Sequence, residues 1–313
     1  MAIILTGISD EAGNALDAQI AAHRELGWNT LEVRNAQVAG FPNGNIHEIP
    51  EAAFELVCEK LDATGMKVGA FGSTIANWAH QIEDPFTITL AEIARAIPRM
   101  QRLGAKAIRI MSYAICKNPD GSDAAEQFAE ERFHRLREIW RHFEDAGITC
   151  VHENCMNYGG MSIRHALETL ERVPGLKWVF DTGNPVFNTD RDKPQPYPMQ
   201  DAWAFYQAVK GHIAHVHIKD GKYDHAAGKM VYTFPGEGDG DVERILTDLL
   251  ASGYHGMVSI EPHVSVVFHD TGSNDGRSAE EKAAEQFASY VGYGRALQSL
   301  IEKIQGNLEP QEI

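Results

Sequence analysis

The chain is 313 residues long, 43% hydrophobic and 23% charged, which suits a globular protein with a sizeable buried core and no low-complexity arm. Its formal net charge of -16 repels polyanions, and no local basic patch offsets it, so a nucleic-acid partner is not expected. The start MAIILTGISDEAG lacks a basic region and has too short an apolar run for a signal, and no later segment approaches the ~20 apolar residues of a membrane span, so the expectation is a cytoplasmic protein with no membrane partner.

In chain order, strand-like apolar runs fall at residues 3–6, 30–34, 67–71, 107–111, 149–153, 177–181, 213–218 and 257–261. Between and after them lie helix-like stretches at 11–26, 50–64, 85–103, 124–146, 162–173, 201–210, 242–252 and 279–304. In the fourth, Phe133, Leu136, Trp140 and Phe143 recur at spacings of 3, 4 and 3, which presents one apolar face. Gly27, Gly65, Gly104, Gly147, Gly175, Gly211 and Gly253 stand where helix C-caps are wanted before the next strand.

Eight such units predict a (β/α)8 TIM barrel in one domain, residues 1–313, with its site at the C-terminal ends of the strands. A doubly wound sheet is the alternative, but the first strand leads into Thr6-Gly7-Ile8-Ser9-Asp10 rather than a Gly-rich dinucleotide fingerprint. Long connections at 112–123, 219–240 and 272–278 follow strands on the same face and are expected to build or cover a site. Cys58, Cys116, Cys150 and Cys155 form no C-x-x-C pair and read as reduced packing residues.

Strands five to eight each deliver one ligand-type side chain to the rim: Glu153, Asp181, His217 and Glu261. A single acid at a strand end serves as readily for capping or ion pairing, but four in succession indicate a metal site. Three carboxylates and one imidazole make a hard, oxygen-rich set that suits Mn2+ first, with Mg2+, Co2+ or Zn2+ as the other divalent candidates. Strand alternation puts His215 on the same face as His217 but one layer deeper, gives His152 the opposite parity from Glu153, and lets His263 share a face with Glu261.

The order His152-Glu153-Asn154, Asp181 to Asn184 (DTGN), His215 to Asp220 (HVHIKD), 235–239 (PGEGD) and Ile260-Glu261-Pro262 resembles that of the xylose isomerase-like TIM barrels, over essentially the whole chain. That group includes sugar phosphate isomerases and epimerases, ketose 3-epimerases and inosose dehydratases. The resemblance implies that Glu153, Asp181, His217 and Glu261 bind one divalent metal and that Glu153 and Glu261 are the catalytic acids and bases, moving protons beside a substrate carbonyl. Loss of a proton next to a carbonyl builds negative charge on oxygen, which a Lewis acid stabilises while a nearby carboxylate takes the proton. Depending on where the proton returns, or whether a group leaves the next carbon, the outcome is isomerisation, epimerisation or β-elimination.

The expected function is therefore a sugar isomerase or epimerase acting on a small keto-sugar. The alternative is a lyase on 3-keto-glycosides, including C-glycoside-cleaving barrels that pair with a small partner chain, or an inosose-type dehydratase. A homo-oligomer or a small partner subunit fits either. Asn184 stands where many epimerases of this group have His, which marks it as a substrate contact that differs. Lys219, His263, Trp78 and Arg34 are the other substrate-binding candidates by position, although a lone loop Trp often only packs and Arg34 could simply pair with neighbouring acids. No phosphate-cradling loop argues for a phosphorylated substrate. The related apurinic endonucleases need further His ligands that strands three and four lack, and a non-catalytic sugar-binding module remains the reading for a metal-free protein.

Overall fold

Eight short runs rich in β-branched and other apolar residues become the strands β1 (Ile4–Gly7), β2 (Thr30–Val33), β3 (Lys67–Gly72), β4 (Ala107–Ile110), β5 (Thr149–Glu153), β6 (Lys177–Asp181), β7 (Ile213–Ile218) and β8 (Met257–Ile260). In the computed structural model, which describes residues 3–226, 228–264 and 278–308, they form one parallel sheet in the spatial order β1-β8-β7-β6-β5-β4-β3-β2. The two end strands then meet, because Ile8 bridges to Glu32 in parallel and Thr6 Oγ1 donates to the Thr30 carbonyl at 2.7 Å. The sheet is thus a nearly closed (β/α)8 barrel, and the doubly wound alternative, which leaves two open edges, is excluded.

Outside the strands run α1 (Leu16–Glu25), α2 (Glu51–Thr64), α3 (Phe86–Leu103), α4 (Ala129–Asp145), α5 (Ile163–Arg172), α6 (Ala202–Val209), α7 (Val242–Ala251) and α8 (Ala279–Leu308). Each buries one stripe against the barrel wall; in α4, Phe133, Leu136, Ile139 and Phe143 are fully buried and Trp140 packs at the edge. Their packing divides into two apolar clusters, one on the β2 to β5 side and one joining β6 to β8 with α1 and α6 to α8. Six of the seven anticipated cap glycines take a positive φ, whereas Gly211 lies in a short 3-10 turn over Lys210–His212.

The anticipated helix at 11–26 begins instead with a 3-10 turn over Ser9–Ala12, which Gly13 at φ +148 separates from α1. Two small antiparallel pairs are additions to the eight-unit plan: Asn35–Ala36 with Gly44–Asn45, and a hairpin of Asp220–Asp224 with Lys229–Thr233. The hairpin occupies the long connection at 219–240, and the connection at 112–123 is tied off by a bridge from Lys117 to Asp123. Of the connection at 272–278, residues 272–277 lie outside the described residues. Among the described residues no helix is long and apolar enough to cross a membrane.

Candidate metal centre and active site

The two central ligand candidates are set side by side by strand register, since Asp181 and His217 are Cα partners across β6 and β7. Glu153 closes β5 and Glu261 follows directly on β8, held there by its backbone N–H on the Ile218 carbonyl at 2.9 Å. The result is that Glu153, Asp181, His217 and Glu261 each offer a ligand atom within 4.8 Å of all the others, and all four are buried.

Local chemistry explains the motifs around them. Asp181 Oδ1 accepts the backbone N–H groups of Gly183 (2.8 Å) and Asn184 (2.7 Å), an Asx-type turn that pins one carboxylate oxygen and turns Oδ2 inward. Asn154 extends the β5–β6 ladder with its side chain, donating to the Asp181 carbonyl and accepting the Asp181 N–H, each at 2.9 Å. The His217 ring is anchored from behind: its Nε2 lies 3.1 Å from Glu32 Oε1, while its Nδ1 faces Glu153 Oε1 at 3.5 Å and Glu261 Oε2 at 3.7 Å. Glu32 also meets His215 Nε2 at 2.7 Å and Ser259 Oγ at 2.5 Å, so His215 belongs to this deeper layer.

Two buried polar atoms in the cluster, His217 Nδ1 and Asp181 Oδ2, have no hydrogen-bond partner. Lys219 Nζ lies 2.8 Å from Asp181 Oδ2 as an ion pair and 3.0 Å from Glu261 Oε2 as a hydrogen bond. Three carboxylates and an imidazole whose Nδ1 has no hydrogen-bond partner converge here, with Lys219 and Arg109 as the neighbouring cations, and once a metal displaces the imidazole proton this is the donor set a hard divalent cation takes. These residues therefore fit the metal that the strand-end pattern implies.

Electrostatics separates the carboxylates. Burial would raise Glu153, but Arg109 and His217 hold it below the ordinary range; burial likewise opposes ionisation of Glu261, and Lys219 with His263 holds it well below. Asp181 goes the other way, raised to about 7 by burial, against which Lys219 acts and to which the neighbouring Glu261 adds. Glu32 and His217 stabilise each other's charge, with Glu32 well below and the imidazole well above their usual values despite burial.

All five anticipated substrate contacts line one cavity of ≈ 360 Å³ above the cluster: Arg34, Trp78, Asn184, Lys219 and His263. They differ in what they touch. Asn184 Nδ2 donates to Glu153 Oε1 at 3.2 Å, and Lys219 lies against two of the proposed ligands. Arg34 pairs mainly with Asp10 (3.0 Å) and Glu11 (3.4 Å), with Glu261 Oε1 at 3.6 Å. His263 holds φ +50 and places Nε2 3.2 Å from Glu261 Oε1, while its N–H donates to Glu11 Oε2. His152 faces away from the centre, packed on Trp178 and within 3.0 Å of Ser112 Oγ.

Three participants escape a strand-end reading. Arg109 Nη1 donates to Glu153 Oε2 at 3.1 Å from inside β4, Glu11 supports His263 from the turn after β1, and Tyr232 reaches the cavity from the hairpin. The available signal was charge within an apolar run: Arg109 in AIRI and Glu32 in TLEV are both buried where the strand pattern calls for apolar residues.

A sequence profile described as xylose isomerase-like TIM barrel matches residues 20–289. The chain belongs to that family. No curated protein sequence matches it closely enough to count as a relative. Solved structures share the family's fold at low identity. A xylose isomerase-like TIM barrel protein from Mycobacterium smegmatis in complex with magnesium is 18% identical with TM-score 0.64, covering 96% of this chain and 97% of that one. A D-tagatose 3-epimerase-like protein is 16% identical with TM-score 0.65, over 97% and 99%. The 3-keto-D-glucoside 4-epimerase YcjR from E. coli is 15% identical with TM-score 0.57, over 94% and 99%.

Proposed function

We propose that this chain is a divalent-metal-dependent enzyme that abstracts a proton next to the carbonyl of a keto-sugar, and so isomerises or epimerises it. The observation that carries this reading is the buried convergence of Glu153, Asp181, His217 and Glu261, of which Glu153 and Glu261 line the cavity. Glu153, Asp181, His217 and Glu261 would hold the cation, which when bound supplies Lewis-acid polarisation of the carbonyl oxygen. Mn2+ is the first choice, and the magnesium complex of a relative supports a hard cation of this kind.

The protein's own groups do the rest. Glu153 and Glu261 are both held ionised, so either can accept a carbon-bound proton, and each is gripped by a cation that fixes its direction: Arg109 on Glu153, Lys219 on Glu261. If one glutamate takes the proton and the other returns one to the opposite face, the centre inverts; if a single face is used, the carbonyl moves. Asn184, Arg34 and His263 line the cavity and orient the hydroxyls. The named relatives, epimerases among them, support the same class of chemistry.

A second reading, β-elimination from a 3-keto-glycoside, is supported by Asn184, which is bonded to Glu153 and stands where many epimerases of the group that the chain resembles have His, so that the substrate contact made there differs. Incubating the metal-loaded protein with ketoses and with 3-keto-glycosides in D2O separates the outcomes. Metal-dependent deuterium at the carbon beside the carbonyl is the expected result. Tight metal and sugar binding without exchange or product would make the protein a sugar-binding module instead.

A further inference from the structure

One wall of the cavity is built by the connection after β3, residues 73–85, which contributes Thr74, Asn77 and Trp78. Toward the β4 side this connection is held by backbone: the N–H groups of Met111, Tyr113 and Ala114 donate to the carbonyls of Ile75, Ala76 and His80 at 3.2, 2.6 and 2.9 Å. On its other side it is held by side chains. Thr74 N–H donates to His47 Nε2 at 3.2 Å, Thr74 Oγ1 donates to Glu92 Oε1 at 3.3 Å, and His80 Nε2 lies 3.3 Å from that same oxygen. A single oxygen on α3 thus gathers both ends of the segment that carries Asn77 and Trp78. Glu92 Oε2 is buried without a hydrogen-bond partner, which leaves these contacts to Oε1. Between the two ends, Ala76 holds φ +53, a conformation that a residue with a Cβ keeps where its surroundings fix it. His80 is 23% exposed and Glu92 2%, so the imidazole can exchange its proton with solvent while the acid stays buried.

We propose that His80 and Glu92 are positioning residues for this cavity wall, and that loss of the His80 proton loosens Thr74, Asn77 and Trp78 and weakens the binding of a sugar beside them. The effect on sugar binding rests on the function proposed above, whereas the clamp itself stands on the contacts alone. A charged donor makes a hydrogen bond to a carboxylate roughly twice as strong as a neutral one, so a neutral His80 still touches Glu92 but holds it less firmly.

The other charges around the pair do not replace that proton. On α3, Arg95 pairs with Glu48 at 3.6 Å and Arg99 with Glu51 at 2.9 Å. His47, from the connection after β2, is pushed down to about 4 by burial and accepts from Thr74 as a neutral ring. Arg135 of α4 meets the connection at the Asp84 carbonyl, 2.8 Å away. Asp84 and Glu48 add negative charge near His80, but the bond to Glu92 is the main cause that raises the imidazole above its ordinary 6.5, against the opposing effect of burial. A raised imidazole gives its extra stabilisation in full below 6.5 and loses it as the pH rises through the raised value. Apparent affinity falls with the fraction of protein in the competent arrangement, so sugar binding should follow the same titration.

Hydrogen exchange at pH 6 and pH 8.5 tests the clamp, in the wild type and in His80→Gln, whose amide can still bond Glu92 but does not titrate. Protection factors, from which the intrinsic pH dependence of exchange is divided out, are read at the amides of residues 74, 77, 79 and 80, all of which are hydrogen-bonded in this connection. In the wild type they should fall at least threefold from pH 6 to pH 8.5, while in His80→Gln they should be low at both and the amides of β5 should not respond. Glu92→Gln, which keeps an oxygen and removes the charge, should behave like His80→Gln and guards against misfolding of either. Calorimetry on the Mn2+-loaded protein with D-fructose, D-tagatose and D-psicose as probes reads the coupling. The ratio of variant to wild-type Kd should drop from at least three at pH 6 to about one at pH 8.5, a comparison that cancels titrations elsewhere in the site. Wild-type protection that ignores pH, or an equal loss of protection in the variants at both pH values, would reduce the pair to packing and overturn the clamp. A pH-dependent clamp with no ketose bound, or with a Kd ratio that stays constant, would keep the clamp and overturn its coupling to sugar binding. Coupled binding without deuterium exchange in any ketose would leave the whole proposal standing and overturn enolisation instead.

Discussion

Glu32 Oε1 stands 3.1 Å behind His217 Nε2, on the side of the ring opposite the three acids of the candidate metal centre. A carboxylate there can only accept, so it keeps a proton on Nε2, and Nδ1 is the nitrogen that would give up its proton to bind a cation. Glu32 is thus a positioning residue for the centre, and it is itself held by His215 and Ser259. Glu32→Gln keeps the volume but can present an N–H to the ring and favour the wrong tautomer. Metal affinity is expected to fall by about 10- to 100-fold, the range for groups that orient a ligand. Titration of the apo protein with Mn2+ measures it, and an unchanged Kd would show that Glu32 serves only packing.

Elemental analysis of protein purified without chelator should give about one equivalent of divalent metal, and chelation should lower thermal stability. Binding at a hundred times Kd is worth about 2.7 kcal/mol to the folded state. That gain should vanish in His217→Ala and shrink in Asp181→Asn, each of which removes one donor. If both variants keep the metal-dependent rise in Tm, the ion sits elsewhere.

What the sequence disclosed and what it hid divide along physical lines. Strand ends at 153 and 181 and the rim position of 217 and 261 are local properties, legible from apolar runs that terminate in a polar side chain. The supporting contacts are not local. Glu32 and His215 are 183 residues apart and Arg109 and Glu153 are 44 apart, so their pairing exists only once the barrel closes. The hairpin after β7 is hidden for another reason: its first strand, DGKYD, is polar and reads as loop, although KMVYT opposite it is an apolar run as long as a barrel strand.

The PGEGD stretch was legible as a motif without a visible purpose, and the structure supplies one. Asp220 accepts the backbone N–H groups of Gly221 and Gly236 at 2.8 Å and of Gly238 and Gly240 at 3.0 Å. A Cβ on Gly238 would come within 2.3 Å of Asp220 Oδ1, so the wrap requires glycine there. Asp220→Asn halves the acceptors and removes the charge. It is expected to lower stability by about 1.5–3 kcal/mol, the scale of a hydrogen bond to a charged group, and to raise KM by loosening the hairpin that carries Tyr232. Urea unfolding with steady-state kinetics checks both effects, and a variant with wild-type midpoint and KM would remove Asp220 from this role.

His23 ties α1 to α8, with Nδ1 on the Gln19 carbonyl at 2.9 Å and Nε2 3.3 Å from the Tyr290 hydroxyl. Burial pushes it down from 6.5 to about 4. A depressed imidazole means that the unfolded chain takes its proton first as the pH falls. Its stabilising contribution is therefore full above 6.5 and is lost between 6.5 and 4. At pH 5 the loss is about 2 kcal/mol relative to pH 7.5. His23→Gln should be less stable at pH 7.5 but should lose about that much less on acidification, as read from urea unfolding at both pH values. Equal losses in the two proteins would assign the acid sensitivity to other groups.

Glu153 and Glu261 carry the chemistry in the proposed function, so their isosteric amides make the sharpest test. Glu153→Gln leaves a side chain that can still face Asn184 and Arg109, and Glu261→Gln one that can still meet Lys219, so both variants should fold. Each amide removes the basic oxygen, and general acid-base groups contribute about 10² to 10⁴ in rate, so losses at least that large are expected with metal binding weakened too. Exchange in D2O then separates the roles. With a true keto-sugar substrate, the wild type should take up deuterium beside the carbonyl only when metal-loaded, and one of the two variants should lose that uptake entirely. The other should retain exchange but fail to form product, because it can still remove the proton and cannot return one from the other side. Turnover with no solvent deuterium in the product, and the substrate's own hydrogen carried to the neighbouring carbon, would mean a direct hydride shift. In that event neither glutamate is the base, and both serve only to hold the metal.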